Sequence, residues 1–252
     1  MSQSRTDLHD RRFGATFRRD SWWVEILPII AVMGGFSLYA TWRAFQGADY
    51  EWGPYLSPFY SPLIDPDHKW WPLSPALLIL PAPLGFRATC YYYRKALYRA
   101  FLLSPPSCAV TGPMAGKYSG ERKFPFILQN LHRYFLYLAL LFICILAYDA
   151  VKAFWFDGHF GVGVGSLVMT ANVVLLGCYT FSCHSLRHLV GGKLDCFSCA
   201  VAGGPRHMAW KGVSVLNESH MLFAWLSLFS VALTDLYIKL LCTGTITDLR
   251  LF

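Results

Sequence analysis

The sequence predicts an all-α membrane protein, a bundle of five transmembrane helices with a cytoplasmic N-terminus and its C-terminus outside. Three observations lead there. Of 252 residues, 55% are hydrophobic and only 15% charged, whereas a soluble domain carries about 25% charged residues. The apolar residues fall in runs long enough to cross a hydrocarbon core, which takes roughly 20 residues of helix. Basic residues alternate in density from one loop to the next. Few charges and 17% aromatics also exclude disorder, whose signature is the opposite.

The elements follow in chain order as one transmembrane domain, 1–252. The N-terminal arm carries Arg5, Arg11, Arg12, Arg18 and Arg19 among acids. The apolar run after it is too long for a cleavable signal and lacks a cleavage motif. Span one covers 22–45. The loop 46–72 alternates Pro54, Pro58, Pro62 and Pro66 with Tyr50, Trp52, Tyr55, Trp70 and Trp71. It reads as an irregular cap at the membrane interface, where Trp and Tyr anchor. Span two, 73–93, holds Pro75, Pro81, Pro83 and Arg87 and is expected as a kinked span, since neighbours can re-satisfy carbonyls freed by proline. Span three is 126–148, span four 162–188 and span five 213–241, with a Cys/His-rich cytoplasmic loop over 183–211.

Seventeen of the 22 Lys and Arg residues then lie on one side, in the N-terminal arm and the loops after spans two and four. The positive-inside rule makes that side cytoplasmic. It also accounts for the net charge of +7 without nucleic acid. No internal repeat suggests a transporter of inverted halves.

Four cysteines (Cys90, Cys144, Cys178, Cys242) sit in or beside apolar runs, where free thiols act as small hydrophobes. Cys183, Cys196 and Cys199 instead fall within 25 residues of chain together with His184, His188 and His207. His184 and His188, spaced i and i+4, share a helical face. Gly191 and Gly192 let the chain turn back into Cys196-x-x-Cys199, a spacing common in metal knuckles. Two thiolates and two imidazoles suit either a zinc staple or a 2Fe–2S centre of Rieske type. The C-x-H and C-x-x-H pattern of soluble Rieske proteins is absent.

Two further histidines, His132 and His220, lie inside spans three and five at similar depth, roughly 10–12 Å from the cytoplasmic side at about 1.5 Å per residue. Ionisable groups at such depth are functional candidates. They suit a quinone site flanked by Asn130, Arg133, Trp210 and Lys211, or bis-His haem b, or plain interhelical hydrogen bonds. Spans one and two contain no histidine, which excludes two haems on ligand count. Asp235 and Lys239 stand i, i+4 on span five, where they form an internal ion pair or line a second, outer site.

Cys183-His184-Ser185-Leu186-Arg187-His188 before Gly191-Gly192, and Asn217-Glu218-Ser219-His220-Met221 with Thr234-Asp235-Leu236-Tyr237, resemble motifs of one membrane-anchor family. It is the haem-poor actinobacterial type of succinate dehydrogenase (complex II), in particular the mycobacterial anchor with a membrane-embedded Rieske-like cluster. The likeness covers roughly 129–241. It implies a flavoprotein subunit that oxidises succinate, an iron–sulfur subunit that carries electrons, and an anchor that binds menaquinone and relays electrons through its own 2Fe–2S cluster on the cytoplasmic side. Cys183, His184 and His188 match the first motif and His220 the second. Cys196 and Cys199 fall where the remaining thiolate could come from, the choice among them and Cys183 stays open, and His207 is a further ligand candidate. The likeness also implies a bacterial cytoplasmic membrane. Two alternatives stand beside this: a single-haem b-type anchor drawing on His132, His184 and His220, and a non-redox membrane scaffold with a structural zinc loop.

Overall fold

The computed structural model describes residues 13–64, 73–113, 122, 124, 126–192 and 194–252. Arg5, Arg11, Arg12, Pro66, Trp70, Trp71 and the basic residues Lys69, Lys117, Lys123 and Lys193 lie outside the described residues. The fold is helical, with two short hairpins and no closed sheet among the described residues.

A 3-10 turn, Trp22–Ile26, leads into α1, Leu27–Gln46. The hairpin β1–β2, Glu51–Trp52 with Tyr55–Leu56, follows. Next come α2 (Ala76–Ile79), α3 (Pro81–Thr89) and α4 (Tyr91–Ala100). A 3-10 turn at Phe126–Leu131 opens α5, His132–Lys152. After the hairpin β3–β4 (Trp155–Phe156 with His159–Phe160) come α6 (Val164–Phe181), α7 (His184–Val190), α8 (Gly203–Glu218) and α9 (His220–Cys242).

Among the described residues, four stretches are long and apolar enough to cross a membrane: Trp22–Gln46, Ile127–Lys152, Val164–Phe181 and His220–Cys242. They overlap expected spans one, three, four and five. The region of span two differs. Proline cannot donate a backbone hydrogen bond and its ring clashes with the preceding turn, and the chain divides at Pro81 and again at Cys90. Its apolar part, Ala76–Thr89, falls short of the roughly 20 residues a straight crossing needs.

Two further boundaries move. Span four does not run on to His188: the helix stops at Phe181, and Cys183 takes an extended conformation (φ −63°, ψ 135°) before α7 begins. Span five is two helices, parted at Ser219 (φ −101°, ψ 16°). The expected loop 183–211 is therefore mostly helix, α7 and the first half of α8, joined by a turn.

Contacts divide the chain into two units, 1–38 with 87–131 and 39–86 with 132–252. In the first, the N-terminal arm is stitched to the loop after α4. Gly14 N donates to Thr111 O, Thr111 N to Ala15 O, and Arg18 Nη1 to Ser107 Oγ at 2.6 Å. Arg18 also pairs with Asp20.

In the second unit α6 packs against α9 and α5, and α7 against α8. At one end Tyr55, Ala153, Phe156, Met169, Ile238 and Leu241 form a buried apolar cluster. The C-terminal segment closes over it. Leu251 N donates to Val162 O at 2.7 Å, and Asp248 accepts from Tyr55 Oη, Tyr237 Oη and Gly165 N. Burial, and then the hydrogen bond to Asp248, raise the Tyr55 phenol to about 12. Nearby, the expected Asp235–Lys239 pair is not formed. Asp235 is taken by Arg43 of α1, and Lys239 turns to Asp49 at 3.2 Å. A fully buried carboxylate needs more than one lysine one turn away, and Arg43 offers a two-point fork.

Candidate functional site

The opposite end of the second unit is built around the break between α6 and α7. Ending α6 at Phe181 frees backbone groups that a continuous helix would pair. Ser182 and Cys183, both buried, become the points on which three helices meet. Asn217, near the end of α8, donates to Ser182 O at 2.6 Å. Ser182 Oγ lies 2.7 Å from His220 Nδ1 at the start of α9. Cys183 Sγ lies 3.1 Å from His132 Nε2 at the start of α5.

The Ser182 hydroxyl proton has a taker, Tyr179 O, at 3.0 Å. Its oxygen is then left to accept from His220 Nδ1–H, and a neutral imidazole protonated at Nδ1 carries its lone pair on Nε2. With the hydroxyl proton on Tyr179 O, the serine holds the histidine in this tautomer.

Each imidazole lies flat against an aromatic ring. Phe86 of α3 stacks on His132 at 4.7 Å and 7°, and Tyr179 on His220 at 5.2 Å and 19°. Phe86 meets Tyr179 edge to face at 5.4 Å, which links the two stacks. His132 is within electrostatic reach of His220, and His220 of His184. The result is a slab of flat rings with imidazole nitrogens in apolar surroundings, suited to a planar ligand that takes hydrogen bonds and protons.

The expected site residues separate into groups. His132, Cys183 and His220 come together, with His184 adjoining on α7. Arg133 follows His132 on α5, and Asn130 sits in the 3-10 turn of the first unit. Trp210 and Lys211 do not join the His132 group. Trp210 lies in a second aromatic cluster, under Arg187 at 4.9 Å and near Phe197 and His207. Lys211 is exposed on α8.

His207 stacks on Phe197 at 4.8 Å. His188 shares α7 with His184, one turn on, and both are exposed. Cys196 and Cys199 are joined in a disulfide. By kind these donors suit a thiolate–imidazole centre, since Cys183 and a reduced Cys196/Cys199 pair would supply thiolates beside several imidazoles. By placement, no three His, Cys, Asp or Glu side chains converge as a metal site among the described residues.

Phe86, Tyr179 and Ser182 were not singled out from the sequence. Tyr179 and Ser182 flank the break, so the Cys-His motif pointed to their neighbourhood. Phe86 sits 46 positions before His132, beyond the reach of any local pattern.

The sequence model of the family described as actinobacterial succinate dehydrogenase subunit SdhC matches residues 24–244. Among solved structures, a chain of the Mycobacterium smegmatis Sdh1 complex in the apo form is similar at 45% identity with a TM-score of 0.83. The match covers 96% of this chain and 97% of that one. No curated protein matches.

Proposed function

Because the chain belongs to the actinobacterial succinate dehydrogenase SdhC family, a membrane anchor working with other subunits of that complex, we propose that its His132–Cys183–His220 site reduces menaquinone. Electrons would come from succinate oxidised on the flavoprotein subunit and pass through the iron–sulfur subunit. The observation that carries the reading is the pair of stacked imidazoles, His132 on Phe86 and His220 on Tyr179. A naphthoquinone ring needs a flat apolar slot, and its two-electron reduction to the quinol consumes two protons at the carbonyl oxygens. Imidazole is the side chain that most readily gives and retakes a proton near neutral pH.

In this reading His220, fixed by Ser182 with its lone pair on Nε2, takes a proton arriving from the aqueous side and passes it to one carbonyl. His132, beside Cys183, serves the other. The basic bias of the sequence supports a position of this end in the cytoplasmic leaflet, facing the soluble subunits. The N-terminus is then cytoplasmic, and the α2–α4 region completes a fifth crossing. A 2Fe–2S centre of Rieske type, held by thiolates among Cys183, Cys196 and Cys199 and imidazoles among His184, His188 and His207, would supply one-electron transfer at a raised potential.

The test is the purified complex carrying His220→Ala or His132→Ala, assayed two ways with succinate. Reduction of a soluble menaquinone analogue should fall about 100-fold or more, in the range for loss of a positioned proton donor. Reduction of a water-soluble dye that accepts electrons before the membrane should stay near wild type. Unchanged quinone reduction would overturn the site. Equal loss of both activities would assign these histidines to assembly. Low-temperature EPR of the same sample tests the cluster: a His-ligated 2Fe–2S signal lost in Cys183→Ala supports it, and a b-haem optical band in its place overturns it.

A further inference from the structure

A cavity of about 620 Å³ opens at the other end of the second unit, between the β1–β2 hairpin, the chain at Pro62–Leu63 and the last turns of α5. Its α5 lining, Ile145 to Lys152, lies 13 to 20 residues along the helix from His132, roughly 20–30 Å at 1.5 Å per residue, and owes nothing to the quinone proposal. Its size is within the range of specific small-molecule sites, about 300–1,000 Å³.

Its lining divides by chemistry. Ile145 and Val151 on α5 and Leu56 on the hairpin give it an apolar wall, while Glu51, Asp149 and Lys152 bring charge to it. Lys152 is the last residue of α5; its ammonium stands 5.6 Å over the Tyr148 ring and makes no ion pair among the described residues. One turn earlier Asp149, 9% exposed, accepts a hydrogen bond from Ser61 Oγ at 2.5 Å. A cation and two carboxylates therefore share a cavity whose wall is hydrocarbon, at the end of a helix long enough to cross a membrane.

We propose that this cavity holds one phospholipid with a zwitterionic, primary-ammonium head, of the phosphatidylethanolamine class. The lipid phosphate would meet Lys152, the lipid ammonium would meet Asp149 and Glu51, and the first acyl carbons would lie along Ile145, Val151 and Leu56. Charge complementarity selects this occupant. An anionic head without an ammonium would satisfy Lys152 but face two carboxylates uncompensated. A neutral quinone ring would leave Lys152 and Glu51 without a counter-charge while removing them from water, which is unfavourable.

Native mass spectrometry on the whole complex, stripped of lipid in detergent and given one lipid at a time, tests this. Phosphatidylethanolamine should be retained at one molecule per copy of this chain, above phosphatidylglycerol. Lys152→Gln at the exposed helix end should cut its retention about fivefold, the scale of one lysine–headgroup contact. Glu51→Gln, which leaves the buried groups untouched, should narrow the preference over phosphatidylglycerol. Equal retention of both lipids, indifferent to Lys152→Gln, would mean ordinary surrounding lipid and overturn the proposal. So would added menaquinone displacing the lipid from this site.

Discussion

Arg43 and Asp235 meet as a two-point ion pair between α1 and α9, Nε to Oδ2 at 2.7 Å and Nη2 to Oδ1 at 3.0 Å, with neither side chain exposed. Tyr39 Oη and Ser57 Oγ also donate to the carboxylate, each at 2.5 Å. The guanidinium spends its remaining donors on Gln46 Oε1, Ala48 O and Asp49 O. The network is saturated, which is what a buried charge requires.

Removing one member should therefore cost far more than the pair contributes. Asp235→Ala leaves a buried guanidinium without its counter-charge, a loss of about 3–5 kcal/mol. Arg43→Met with Asp235→Leu together should recover much of that, because replacing both charges with apolar groups is often neutral. Thermal unfolding in detergent micelles reads both. If the double variant were no more stable than the single one, charge burial would not be the cause.

Ser182→Ala should separate tautomer control from bulk. It removes the hydroxyl's two hydrogen bonds, each worth about 1 kcal/mol of stability, and frees His220 to protonate at either nitrogen. Quinone reduction should drop about tenfold while dye reduction holds, and Ser182→Thr, which keeps the hydroxyl, should restore most of it. Loss in both variants alike would assign Ser182 a packing role.

Gly203→Ala should disrupt the turn between α7 and α8. A Cβ at Gly203 would strike the backbone carbonyl of Phe197, which no rotamer change can move aside. Overpacking of this kind costs about 1–3 kcal/mol. Limited proteolysis of the whole complex should show earlier cleavage within 191–202. By contrast, Gly204→Ala, with open space at its Cβ, should leave the pattern unchanged.

Alkaline pH should loosen the C-terminal closure. Tyr55 holds its proton to about 12 in the folded chain, against about 10 unfolded. Its contribution is thus fully present below pH 10 and is lost as pH rises from 10 through 12, by about 1.4 kcal/mol for each unit of the difference. The melting midpoint should fall more steeply between pH 10 and 11.5 in the wild type than in Tyr55→Phe. Parallel slopes would remove Tyr55 as the cause.

What the sequence disclosed follows from the range of each signal. Hydrophobic length marked α1, α5, α6 and α9, because a bilayer imposes one long apolar run per crossing. It did not mark the breaks at Cys183 and Ser219, since both lie in stretches where composition hardly changes. Local spacing also misassigned Asp235. The i, i+4 rule offered Lys239, and only the fold brings in Arg43, 192 positions away. The same distance effect hid half of the candidate site: His132 and His220 stood out as ionisable groups in apolar runs, but no spacing joins His132 to Cys183, 51 positions on.

The break between α6 and α7 assigns adjacent groups of two residues to three different neighbours: the Ser182 carbonyl to Asn217, its hydroxyl to His220, and the Cys183 sulfur to His132. Adding or deleting one residue anywhere in α6 would turn that trio by about 100° and shift it about 1.5 Å along the axis, detaching all three at once. The 18 residues of α6 are thus counted at its end as well as by the thickness of the bilayer. Related anchors should accept length changes in the 191–202 turn and almost none between Val164 and Cys183.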